Sequence, residues 1–194
     1  MTDTNALEAV YRHPLFKNDA LEKIFAAHEL VHFSKGDYLL KEQKIANEYF
    51  ILQSGLARSF VYDYTGNDIT ITFFGEKEII IEVSSLFQRV PSQENIQALT
   101  DCCCWRIGFQ DFQQLFHSIE SFREWGRSWM AEQLFLSKQR SVEMITTSAK
   151  ERYLKLMNEK PRVLQLAPLK QIATYLGITD SSLSRIRKEL SDKD

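Results

Sequence analysis

The spacing of apolar positions changes twice along this chain. Over residues 1–29 they recur at three- and four-residue steps: Leu7, Val10 and Tyr11, then Leu21, Ile24 and Phe25. Such steps place side chains on one helical face, so this stretch is predicted helical. From about Leu30 to Ile107 the pattern shortens to β-prone runs. These are Val31 and Phe33, Tyr38 to Leu40, Tyr49 to Leu52, Ala57 to Val61, Ile69 to Phe74, and Ile96 to Leu99. Gly36, Gly55 and the Thr65–Gly66–Asn67 turn separate them. Short strands this close together predict an antiparallel barrel or roll. Helical spacing returns after Gln110. Neither internal repeats nor low-complexity linkers interrupt the chain.

Residues 118–147 read as one long helix. Phe122, Trp125, Trp129 and Leu136 make one apolar stripe; Met130, Leu134 and Met144 make a second. A helix apolar over so wide an arc buries more than one face. One face packs on the roll and the other on a partner helix, which predicts a homodimer with Trp129 and Leu136 in the seam. The competing reading places both stripes in the chain's own core.

Leu169 to Leu190 reads as two short helices around a tight turn. Ile172, Ala173 and Leu176 mark the buried side of the first. Gly177 stops it, because a helix C-terminus often needs positive φ. Thr179 is placed to cap the next helix through the N–H of Ser181 or Ser182. Leu183, Ile186 and Leu190 form that helix's apolar face, and Ser181, Ser184, Arg185 and Lys188 lie opposite. This is the pattern of a helix-turn-helix that enters a major groove. An ordinary helical hairpin shares the apolar spacing but has no need of the polar, basic face.

Charge adds to that picture. The net charge of −2 conceals an asymmetry. Residues 150–194 hold ten Lys/Arg and six Asp/Glu, a net of +4, leaving fourteen basic and twenty acidic residues, a net of −6, in the first 149. A basic end on an acidic body suits a phosphate-binding tail. No apolar run follows basic residues at the N-terminus, and no stretch approaches the roughly 20 apolar residues of a membrane span. A cytoplasmic protein with no membrane partner is therefore expected.

Other chemistry is sparse. Cys102, Cys103 and Cys104 are consecutive, and residues on a strand alternate faces, so the three thiols do not converge on a metal. His13, His28, His32 and His117 show no ligand spacing. Paired catalytic acids and nucleophile–histidine pairs are missing too. No metal, no cofactor and no enzymatic activity are expected.

The order of roll, long helix and helix-turn-helix resembles the Crp/Fnr family of bacterial transcription regulators. Phe33–Ser34–Lys35–Gly36–Asp37 and Tyr49–Phe50–Ile51–Leu52–Gln53–Ser54–Gly55 are similar to the opening turns of the family's roll. Tyr175–Leu176–Gly177–Ile178–Thr179 with Ser182–Leu183–Ser184–Arg185 is similar to its DNA-binding signature. Stopping soon after the recognition helix, without a further hairpin, resembles the short Bacteroidetes-type branch. The resemblance implies an α+β fold. An antiparallel cyclic-nucleotide-binding-like roll with N-terminal helices would occupy 1–117, a dimerisation helix 118–147, and a winged-helix-like helix-turn-helix domain 148–194. It also implies double-stranded DNA, a second copy, a small-molecule effector and RNA polymerase as partners.

Two departures sharpen the expectation. In cyclic-AMP-binding members a Gly-Glu pair opens the phosphate cassette and an Arg-Ser pair closes it. Here Glu82 matches the glutamate, but Ile81 replaces the glycine, Ser92 the arginine and Gln93 the serine. Burying an anionic phosphate without its cation is costly, so cyclic-AMP binding is not expected unless Arg89 swings in. Ser137 falls where the family sets a hydroxyl against the purine. On the DNA side, Asp180 and Ser181 replace the family's Arg-Glu pair, and Arg185 keeps the third base-reading position. Arg185 is the expected guanine reader. Thr179 and Ser182 are expected on phosphate, and Arg187 and Lys188 add attraction. The alternative function is a sensing or protein-interaction module whose helix-turn-helix no longer binds DNA specifically.

Overall fold

Two four-stranded antiparallel sheets face each other in the computed structural model, which describes residues 3–192. The strands are β1 (Glu29–Phe33), β2 (Tyr38–Leu40), β3 (Glu48–Ser54), β4 (Ala57–Tyr62), β5 (Asp68–Phe74), β6 (Ile79–Ile80), β7 (Asn95–Ala98) and β8 (Cys102–Gly108). One sheet runs β1-β8-β3-β6 and the other β2-β7-β4-β5. The expected α+β roll is present. Side chains alternate along each strand, so Leu39, Phe50, Leu52, Ile80, Ile96 and Ala98 meet between the sheets. Cys102 and Cys104 point into that core, while Cys103 faces out opposite His32. Burial pushes the Cys102 and Cys104 thiols above their ordinary pKa. They are packing groups in their neutral form. Gly55 joins β3 to β4 at φ +110°, and a Cβ there would lie 2.6 Å from the Asp101 carbonyl oxygen, so only glycine fits.

Helices cover the roll on two sides. On one, α1 (Asn5–Val10), α2 (Asn18–Ala26), α4 (Phe109–Ser118) and the first turns of α5 (Glu120–Thr146) enclose a second core. Tyr11 and Trp125 lie 4.7 Å apart, and Trp125 stacks on Phe122 at 5.3 Å. Burying Phe122 alone contributes about 2 kcal/mol. A short helix that the sequence pattern does not announce, α3 (Val83–Gln88), packs Leu86 into this second core. Its N-cap is Glu82, whose carboxylate accepts from the N–H groups of Ser84 and Ser85.

At roughly 100° per residue, Trp129 and Leu136 of the long helix fall on the side of Phe122 and Trp125; Phe122 and Trp125 are buried, while Leu136 is 48% exposed. Met130, Leu134, Ser137, Ser141 and Ile145 lie on a separate stripe, and Phe135 and Val142 fall between the two. Leu134 is 73% exposed, Phe135 66% and Ile145 86%. Among the apolar side chains of α5, Leu134, Phe135 and Ile145 are the most exposed.

Four helices complete the chain: α6 (Ala149–Glu159), α7 (Pro161–Leu166), α8 (Leu169–Tyr175) and α9 (Asp180–Ser191). Ser148 and Glu151 form a reciprocal capping box that starts α6 just after α5 ends. The third core joins Leu56, Phe73 and Leu99 of the roll to Val163, Ile172, Ala173, Leu176 and Leu183. Across the same junction Lys160 Nζ donates to the Phe73 carbonyl at 2.7 Å and pairs with Glu78 at 2.8 Å. Arg162 pairs with Glu76, and Thr70 N–H donates to Thr174 Oγ1.

Candidate functional site

The helix-turn-helix is built as its residues dictate. Gly177 adopts φ +67°. Its N–H donates to Thr174 O, and the Ile178 N–H donates to Ala173 O, both at 3.0 Å. These are the paired bonds of a Schellman C-cap. Thr179 starts α9, its hydroxyl accepting from the Ser182 N–H at 3.3 Å and lying 3.0 Å from the hydroxyls of Ser181 and Ser182. Leu183 is buried, with Ile186 and Leu190 packed beside it. Asp180, Ser181, Ser184, Arg185, Arg187 and Lys188 are exposed. Asp180 sits in the first turn and Lys188 in the last, so both charges suit the helix dipole. The structure thus brings the sequence-derived DNA candidates, from Thr179 to Lys188, onto one helix and its cap. The side chains sequence reasoning missed are Arg140 and Arg152. They take the carbonyls of Tyr175 and Leu176 at the end of α8.

The effector candidates converge far less. A cavity of about 290 Å³ lies between β2, β3, β6 and the loop at residues 41–47, with Glu82 at its edge. Its cations are Lys41 and Lys44. Arg89, expected as a replacement cation, is committed elsewhere. It caps α3 at φ +58°, donates to Ala46 O at 2.6 Å and to Asn47 Oδ1, and stacks over Phe109. Ser92 is buried, and its hydroxyl bonds to the backbone of Glu94. Gln93 is exposed, and Ser137 lies out on the exposed stripe of α5. Burial, reinforced by the charge of Glu82, holds Glu94 above its ordinary pKa. A separate apolar cavity of about 320 Å³ is walled by Phe87, Phe112, Phe116, Trp125, Trp129 and Met130. Among the described residues no cluster of His, Cys, Asp or Glu could hold a metal ion, and no helix is long and apolar enough to cross a membrane.

A paired-sheet roll with a capped short helix, a long helix and a helix-turn-helix defines a class, and comparison with known proteins agrees. Residues 30–118 match the family model of the cyclic nucleotide-binding domain. Over most of its length the chain shares the fold of Crp/Fnr regulators. It is similar to FixK2 from Bradyrhizobium japonicum, at TM-score 0.72 and 18% identity over 86% of this chain and 85% of that one. It is also similar to CLP, the c-di-GMP-responsive global regulator of Xanthomonas campestris, at TM-score 0.69 and 14% identity over 91% and 93%. A proposed Crp/Fnr-family regulator from Eubacterium rectale matches at TM-score 0.70 and 14% identity over 93% and 88%. No curated protein sequence matches this one.

Proposed function

We propose that this protein is a DNA-binding transcription regulator of the Crp/Fnr type that acts as a homodimer. Its roll would sense an effector other than cyclic AMP, and its α9 would read DNA. The observation that carries this reading is the division of α9. Leu183, Ile186 and Leu190 anchor one side, leaving Ser181, Ser184, Arg185 and Lys188 free along the other. A helix held this way presents base-reading and phosphate-binding groups together. Two copies joined along α5 would present two such helices to a two-fold operator.

The test is operator selection from random duplex DNA, followed by titration of operator and scrambled control at two salt concentrations. Wild type should prefer the operator. Arg185→Ala should cost about 1–3 kcal/mol and relax preference at one base pair per half-site. Lys188→Ala should weaken all sequences alike and flatten the salt dependence. Absence of any operator preference in wild type would favour the sensing or protein-interaction module.

A further inference from the structure

A helix C-terminus leaves its last carbonyls without partners inside the helix. In α8 the Schellman turn accounts for Ala173 and Thr174, and the Leu176 N–H takes Ile172 O. Tyr175 O and Leu176 O remain, at the entrance to the turn that aims α9. Each is claimed by an arginine from another helix. Arg140, in the penultimate turns of α5, donates from Nη2 to Tyr175 O at 3.0 Å and lays its guanidinium 3.8 Å from the centroid of the Tyr175 ring. Arg152, in the first turn of α6, donates from Nη2 and Nε to Leu176 O at 2.9 and 3.3 Å. Its Nη1 reaches back to the carbonyl of Thr147, where α5 ends. Met144 fills the space against Gly177: a Cβ on that glycine would lie 2.5 Å from the Met144 methyl carbon.

Residues 140, 144 and 147 are four and three apart, so α5 grips the turn with a single stripe of its surface. That stripe is distinct from the exposed one carrying Leu134 and Ile145. The same Tyr175 ring meets Phe73 of β5 at 5.1 Å. Roll, long helix and reading head therefore meet at one aromatic ring.

We propose that Arg140 and Arg152 are positioning residues that lock the direction of α9 to the axis of α5, and through it the separation of the two half-sites a dimer accepts. This consequence for half-sites rests on the DNA-binding reading; the lock itself does not. Charged donors on two neighbouring carbonyls, together with the Tyr175 ring held between Arg140 and Phe73, restrain the tilt and roll of α8, where a single anchor would leave a swivel. The planar guanidinium of Arg140 does two things a lysine cannot do together, bonding a carbonyl edge-on while stacking on a ring.

The lock is tested by measuring the distance between α5 and α9. Nitroxide labels are placed through Lys138→Cys and Arg187→Cys in a Cys103→Ser background. Labelled chains are diluted into excess unlabelled protein, so that pairs within one chain are read by pulsed dipolar spectroscopy. A single narrow distribution is expected, at least doubling in width with Arg140→Ala and more so with Arg140→Ala/Arg152→Ala. Arg140→Lys, which keeps the carbonyl bond and loses the stack, should fall between. Circular dichroism and melting identify any variant that has unfolded, and Arg140→Lys then carries the comparison. An unchanged width in folded variants overturns the proposal. In parallel, unlabelled protein is titrated with the selected operator, with the same operator carrying two extra central base pairs, and with a single half-site. Arg140→Ala should lower the ratio between correctly and wrongly spaced operators at least fivefold and leave half-site affinity within twofold. Broadened distances in a protein with no operator preference would support the lock and count against the DNA-binding reading. Broadened distances with an unchanged spacing ratio would overturn the half-site consequence.

Discussion

His28 is the histidine whose titration the fold changes. Burial lowers its pKa to about 4. Its Nδ1–H donates to Ile24 O at 2.7 Å, and Nε2 accepts from the Tyr11 hydroxyl, which in turn lies 2.7 Å from the Tyr49 hydroxyl. Every polar atom in this chain of bonds is used, and a proton on Nε2 would break it. The unfolded chain takes up that proton below about pH 6.5, while the folded one refuses it until about pH 4. Stability from this group is complete above pH 6.5, falls as the pH drops toward 4, and then levels. The slope is about 1.4 kcal/mol per pH unit, so about 2 kcal/mol is lost between pH 7 and pH 5. Urea melts at the two pH values should show this loss in wild type, and His28→Gln should remove most of it. An equal loss in both proteins would assign the dependence to other groups. Arg140 and Arg152 are the opposite kind of residue, useful through the geometry of their bonds to the Tyr175 and Leu176 carbonyls.

Elements differ in how plainly the sequence announces them. The Gly177 turn, the Thr179 cap and the apolar stripe of α9 are local signals, and each appears in the structure as its chemistry requires. The helix α3 was hidden because it is barely two turns long and starts from Glu82, a weaker cap than Ser, Thr, Asp or Asn. The two-residue β6 is too short for any alternation to show. Arg140 and Arg152 act on carbonyls 35 and 24 residues away, a separation that leaves no periodic trace. Among the effector candidates, register alone grouped Glu82, Arg89 and Ser92, and the backbone turns their side chains to different partners. The two stripes of α5 were both legible, but which one faced inward depends on how α4 and α1 pack on it. That packing yields a prediction for the element. Leu134→Glu with Ile145→Glu should give monomers in sedimentation while circular dichroism keeps the wild-type helix content, since neither side chain is packed in the core of the single chain. Trp129→Glu, facing inward, should instead lower stability. Double-variant protein that remains dimeric would move the seam elsewhere.

On the scale of the whole molecule, the roll keeps the architecture of a cyclic nucleotide-binding domain while its cassette positions carry different side chains. The position of the family's arginine holds Ser92, which is buried and internally bonded. Arg89 is held by Ala46 and Asn47. Calorimetry with cyclic AMP should therefore show no saturable binding at low micromolar concentration, the range that corresponds to about −8 kcal/mol. Saturable binding would point to Lys41 or Lys44 as the phosphate partner, and Lys44→Ala would then abolish it. On the proposed reading, an altered effector cassette beside a retained reading helix would make a regulator whose input has changed while its output frame is kept.

The pairing of β1 with β8 reaches further than the site. Glu29 lies opposite Arg106 and Phe33 opposite Cys102, partners 69 to 77 residues apart. Strand β8 is also the neighbour of β3, so the middle of one sheet is the last of its strands to leave the ribosome. Until then β1 and β3 have no strand between them, and their edges stand open to other chains. Closing so long a loop is slow compared with forming the helices that follow it. During synthesis this sensor therefore passes through a stage in which its β-prone half waits on three consecutive cysteines and the tryptophan behind them.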